Sequence, residues 1–173
     1  SPTATMPVAV LDGPDAMSVQ QQPIPEPGPG EALVEVGWCG ICGTDLHLVL
    51  EGYGRPGSVL GHEWAGTVAA VGEGVTGVSL GSRVVAGPAP PCGKCRPCLR
   101  GRPSVCKEHP PPDYLAFNGA FARYTKVDAA RLLTLPDGLS TRAAALTEPV
   151  AIALHAVHVA DALDPELRIL VTG

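Results

Sequence analysis

A chain of 173 residues with 45% apolar positions is long enough to form one domain with a real core. Its formal net charge of −5 excludes the diffuse basic surface that neutralises nucleic-acid phosphates or coats anionic membranes. No stretch approaches the roughly 18 apolar residues of a membrane span, and residues 1–7 lack a basic segment followed by an apolar one, so the expected location is cytoplasmic.

In chain order, residues 7–11 and 17–22 read as two strands around the turn Asp12-Gly13-Pro14, followed by a Pro-rich loop over 23–29. Residues 31–36 alternate polar and apolar positions as a half-buried strand does, and glycines at 37, 40 and 43 are expected to break it before a short helix over 44–50. Further strands are expected over 66–71, 82–86, 120–127 and 132–135, each bounded by Gly, Pro or Asp. With 21 Gly and 19 Pro spread between these runs, the chain is mainly β, as a barrel or sandwich. Ser140 offers an N-cap to an alanine-rich helix, and Pro149 suits the first position of a second helix reaching Ala160, which puts Glu148 at the junction. Residues 167–171 are wholly apolar, the signal of a strand buried on both faces of a parallel sheet, yet nothing else in the chain supplies that sheet.

Cys92, Cys95, Cys98 and Cys106 lie in one loop among Pro90, Pro91, Gly93, Pro97, Gly101 and Pro103, which are expected to prevent regular structure. Gaps of two, two and seven residues let four thiolates turn back onto one tetrahedral zinc, a closed structural site. Lys94, Arg96, Arg100, Arg102 and Lys107 would offset its excess negative charge. Disulfides, the plainer alternative, seldom persist in a reducing compartment, and the spacing matches neither ferredoxin pattern.

Cys42-Gly43-Thr44-Asp45-Leu46-His47, Gly61-His62-Glu63 and Glu148-Pro149 together supply a thiolate, an imidazole and carboxylates, which with water describe a catalytic zinc site. Taken singly, each has a duller explanation as a core cysteine, a turn histidine or a surface acid.

In combination, Gly40-Ile41-Cys42-Gly43-Thr44-Asp45-Leu46-His47, Gly61-His62-Glu63, the four-cysteine loop, Thr147-Glu148-Pro149 and Ile169-Leu170-Val171-Thr172-Gly173 resemble the medium-chain zinc-dependent alcohol dehydrogenases over nearly the whole chain. The resemblance implies a GroES-like, partly open β-barrel with short helices as a zinc-binding catalytic domain over residues 1–160. Residues 161–173 would then begin a Rossmann domain for NAD or NADP, the rest of which is missing. One catalytic and one structural Zn²⁺ are implied. Cys42, His62 and Glu148 would be ligands of the first, with Glu63 either a fourth ligand or an alternate that exchanges with water or substrate. Asp45 would accept the free N–H of His62, fixing its orientation. Thr44 would hydrogen-bond the substrate oxygen and His47 would pass the proton to solvent, while zinc stabilises the alkoxide as hydride leaves for the nicotinamide.

Glu148, where ethanol-type enzymes carry cysteine, is similar to the sorbitol, threonine and butanediol branch, so a small alcohol, polyol or hydroxy-amino acid is the implied substrate. Gly43 replaces a basic residue that meets the cofactor pyrophosphate in the ethanol type, which leaves NAD against NADP open. Gly173 would be the first glycine of the dinucleotide-binding turn, so the piece is expected to hold zinc without turning over alcohol. The full-length protein is expected to be a homo-oligomer with neither nucleic-acid nor membrane partners. Two other readings compete: a stand-alone zinc-binding, redox-sensing or interaction module, and a zinc-free quinone reductase. Cys39 reads as a buried free thiol despite its spacing from Cys42. His155 and His158 read as packing or rim positions, and His109 and Trp64 as structural.

Overall fold

A computed structural model describes residues 4–109, 119–160, 164 and 166–172. β1 (Thr5–Gly13) and β2 (Ala16–Pro23) form an antiparallel ribbon. β3 (Glu31–Gly40), β4 (Glu63–Val71), β5 (Arg83–Ala86), β6 (Tyr124–Asp128) and β7 (Leu132–Thr134) build an antiparallel sheet in the order β6-β3-β4-β5-β7. Between and after them lie α1 (Gly43–Leu50), α2 (Arg96–Leu99), α3 (Thr141–Ala144) and α4 (Thr147–Val159). A bridge between Val8 and Ala122 joins ribbon to sheet without closing them into one ladder, which is the mainly β, partly open architecture expected.

Alternation along the strands divides the core. Val34, Val68 and Val84 point to one face with Ala32, Trp64 and Leu132, while Ala65 and Val85 point to the other, beneath Ala144 and Ala145 at the end of α3. A third cluster, Met6, Val8, Val10 and Val59, seats the ribbon. Each valine fully withdrawn from water contributes about 1.5–3 kcal/mol.

Several boundaries depart from the sequence expectation for physical reasons. β3 continues through Gly37 to Gly40, because register shifts against β4 between Leu33 and Val34 and between Val36 and Trp38 let the strand bend while staying paired. Residues 119–121 do not join β6. Their N–H groups donate instead to the carbonyls of Val59, Gly61 and Leu60, so the strand starts at Tyr124. The four-cysteine loop contains regular structure after all: α2 and a 3₁₀ turn at Pro103–Val105 form there, since Pro97 and Pro103 fall in first turns, where an N–H has no intrahelical acceptor. The same argument lets α4 begin at Thr147 with Pro149 in its first turn. Ser140 caps α3 as expected, its hydroxyl accepting from Ala143 N–H at 3.2 Å.

Residues 167–172 pair with no strand among the described residues, as expected of a segment whose sheet nothing else here supplies, and Leu170 and Val171 are 86% and 87% exposed. Gly173 lies outside the described residues. α4 lies against β4 but buries none of its own residues, leaving Val150, Ile152, Leu154 and Val159 exposed. No helix among the described residues is long and apolar enough to cross a membrane.

Candidate metal centres and active site

The pairing of β3 with β4 ends at Gly40 opposite Glu63. Cys42 follows β3 by two residues and His62 precedes β4 by one, so antiparallel pairing brings together donors that are twenty positions apart in sequence. One ligand atom each from Cys42, His62 and Glu63 lies within 4.8 Å of the others, all three residues being half-buried. Two glycines make room. Gly61 turns the chain with φ +94°, where a Cβ would meet the Phe121 ring at 2.6 Å and Cys39 Sγ at 2.9 Å. A Cβ at Gly40 would collide with Glu63 Oε2, so the bare strand end is what lets that carboxylate lie across it towards the cluster.

α1 supports the site from behind. Asp45, in its first turn, is 3% exposed; its carboxylate accepts from Cys42 N–H at 2.9 Å and Gly61 N–H at 3.2 Å, and lies 3.5 Å from His62 Nδ1. Burial alone would push this carboxyl up, but the contact with His62 and the two N–H bonds together hold it below the ordinary carboxylate range. With Nδ1 turned to Asp45, Nε2 is the nitrogen of His62 left for the cluster. Thr44 and His47 stand three residues apart on α1, about one helical turn, and both are exposed. Glu148, the second residue of α4, is half-buried and does not join the Cys42–His62–Glu63 group, so of the two carboxylates it is Glu63 that the fold delivers to the thiol and imidazole.

A thiol, an imidazole and a carboxylate converging over a carboxylate-oriented histidine is a donor set suited to zinc with a position left open. In the metal-free chain the Asp45 contact lifts His62 to about 9, against the opposing effect of burial and with help from Cys42. That pairing stabilises the metal-free chain fully below the ordinary 6.5 and is lost as pH rises through about 9. A metal needs the neutral ring, so zinc uptake near neutral pH is expected to release this proton and to tighten as pH climbs towards 9. Calorimetric titration in buffers of different ionisation enthalpy measures the release; affinity independent of pH from neutrality to about 9 would contradict it.

The second donor group is Cys92, Cys95, Cys98 and Cys106, again within 4.8 Å of one another. Four sulfurs at zinc's usual bond length of about 2.3 Å stand roughly 3.8 Å apart in a tetrahedron. Here Cys95–Cys98, Cys95–Cys106 and Cys92–Cys98 measure 3.4, 3.9 and 4.0 Å. Backbone N–H groups already point at the sulfurs: Cys95 donates to Cys92 Sγ at 3.3 Å and Cys92 to Cys106 Sγ at 3.4 Å. The N–H groups of Cys98 and Lys107 bring the Cys95 thiol down to about 6, whereas burial, with Cys95 beside it, pushes Cys98 up to about 12.

Cys39 carries no disulfide, and burial, with Asp45 and Glu63 nearby, raises it to about 12, the behaviour of an inert thiol. His155 and His158 are exposed on α4 and join no donor group among the described residues. Trp64 is core. His109 hydrogen-bonds Pro90 O at 3.3 Å, within the cysteine lobe. Sequence reasoning missed Glu51, whose carboxylate meets His47; the signal available was its position one helical turn further along α1.

This fold recurs in solved dehydrogenases. A Sinorhizobium meliloti 1021 protein described as a zinc-binding dehydrogenase and bound to NADP matches 91% of this chain with 46% of its own, at 34% identity and TM-score 0.77. The 2R,3R-butanediol dehydrogenase of Bacillus subtilis matches 88% of this chain with 47% of its own, at 34% identity and TM-score 0.74. Residues 28–137 match the alcohol dehydrogenase GroES-like domain, and the chain belongs to that family. In sequence it is similar to the L-threonine 3-dehydrogenase of Xanthomonas euvesicatoria pv. vesicatoria (strain 85-10), 38% identical over 164 residues that cover 90% of this chain and 46% of that protein. The chain thus spans about half the length of the curated relatives it matches.

Proposed function

We propose that this chain is the catalytic portion of a zinc-dependent, NAD(P)-linked dehydrogenase acting on a small alcohol, polyol or hydroxy-amino acid. The observation that carries the reading is the meeting of Cys42, His62 and Glu63 in front of buried Asp45. The names of the relatives, which include threonine and butanediol dehydrogenases, support the substrate class. Cys42, His62 and Glu63 would hold one zinc, with Glu148 as a further donor at the head of α4, and Cys92, Cys95, Cys98 and Cys106 would hold a second. Zinc at the first site supplies Lewis-acid chemistry that lowers the pKa of a substrate hydroxyl. Asp45 keeps His62 in the orientation that binding needs. Thr44 receives the hydrogen bond of the substrate hydroxyl, and His47, on the same exposed face of α1, takes the proton and gives it to water.

Residues 1–160 are the zinc-binding catalytic domain in this proposal, and 161–173 begin the dinucleotide-binding domain. The apolar surface of α4 supports a covering neighbour of that kind. We further propose a cytoplasmic homo-oligomer that engages neither nucleic acid nor membrane. Activity of the full reading frame against threonine, butanediol and sorbitol with NAD and with NADP, alongside zinc analysis, tests the reading. Turnover with about two zinc ions per chain is expected. Zinc without turnover of any alcohol would favour a stand-alone metal-binding module, and metal content near zero would end both metal assignments.

A further inference from the structure

We infer that Glu51 is a positioning residue for His47: its carboxylate holds the imidazole as the Nδ1–H tautomer and leaves Nε2 bare as the atom that accepts the proton. The inference rests on the relay proposed for Thr44 and His47. His47 Nδ1 and Glu51 Oε1 are 2.6 Å apart, the short separation of a charge-assisted hydrogen bond.

Most exposed pairs one helical turn apart contribute little, because two mobile side chains must be ordered to make them. This pair is held by its backbone. Glu51 N–H donates to His47 O at 3.1 Å, closing the last turn of α1. The end of that helix is pinned in turn: Asp15 N–H, in the β1–β2 connection, donates to Val49 O at 2.7 Å, and Gly54 N–H donates to Leu48 O at 2.9 Å. Leu48, next to His47 in the chain, is buried and fixes the helix's rotation. Both residues of the pair therefore project from an anchored turn.

The chemical need is specific. A neutral imidazole has one N–H and one bare nitrogen, and the bond made at one nitrogen decides the state of the other. Free imidazole side chains prefer the proton on Nε2, which would block the atom the relay requires. An acceptor at Nδ1 reverses that preference. His62 shows the same device, its Nδ1 turned to the carboxylate of Asp45, so each of the two imidazoles at this site meets a carboxylate through Nδ1.

Histidine-selective ¹⁵N labelling and long-range ¹H–¹⁵N correlation, recorded above the imidazole titration and assigned through a His47→Gln variant, read the tautomer directly. Nδ1–H is expected in the wild-type chain and in Glu51→Gln, whose amide oxygen still accepts, with a switch to mainly Nε2–H in Glu51→Ala. A wild-type ring already in the Nε2–H form, or no difference between wild type and Glu51→Ala, would overturn the inference. In the full reading frame Glu51→Ala is expected to lower kcat about tenfold with KM and zinc content unchanged, and Glu51→Gln to restore most of it. Wild-type turnover in His47→Gln would sink the underlying relay, and with it the catalytic role given to Glu51. An unswitched tautomer together with a crippled His47→Gln would leave the relay standing and remove Glu51 from it.

Discussion

Replacing His62 with alanine is expected to remove one zinc ion per chain and to lower kcat/KM of the full reading frame by at least about a thousandfold, because Lewis-acid stabilisation is worth several kcal/mol and each tenfold in rate about 1.4. The effect is local. His62 sits at the mouth of β4 and is only half-buried, so truncation leaves the core clusters untouched. Asp45 loses its imidazole partner but keeps the N–H groups of Cys42 and Gly61, so α1 should remain in place. Zinc content falling to about one per chain, with unchanged thermal unfolding, would separate loss of a ligand from loss of fold. Wild-type turnover in a variant holding one zinc would remove this cluster from the chemistry.

The second large effect concerns Cys95→Ser. Cys95 is the hub of its group, with Sγ contacts to Cys98 and Cys106 and an N–H bond to Cys92 Sγ. The binding energy of a structural zinc is comparable with the net stability of a whole small domain, yet at the proposed site it would be confined to one lobe. None of the three core clusters draws a residue from positions 90–109, and α2 packs against the neighbouring 3₁₀ turn. The expected result is loss of one zinc and fast hydrogen exchange over residues 90–108, while far-ultraviolet circular dichroism of the sheet is nearly unchanged. Cooperative unfolding of the whole chain would show that the lobe supports the sheet after all.

How much the sequence foretold depended on the range of the interaction. The four-cysteine group was open to inspection because its donors lie within fifteen positions and its geometry follows from spacing alone. Most strands were found because Gly and Pro punctuate them, but the same signal misled at Gly37, where a bulge, which no local pattern encodes, carries β3 onward. Residues 167–171 show what hydrophobicity alone conveys, that a segment favours burial, while its ladder partner has to come from elsewhere. The meeting of Cys42 and His62 is a long-range consequence of strand pairing, so residue types alone left several explanations for each, and the family resemblance selected among them. That resemblance ranked Glu148 above Glu63, whereas the local geometry that places Glu63 at the cluster comes from its pairing opposite Gly40, a contact invisible before the register is known.

The Gly40–Glu63 register has a consequence for how such a chain matures. Sliding β3 past β4 by one position would move one donor about 3.3 Å along the ladder and turn alternate side chains to the opposite face. A misaligned hairpin would still bury plenty of valine, but it would no longer offer thiol, ring and carboxylate to a common point. Occupancy of that point by the zinc proposed above would therefore favour, from among many greasy near-matches, the one frame in which the polypeptide has come together correctly.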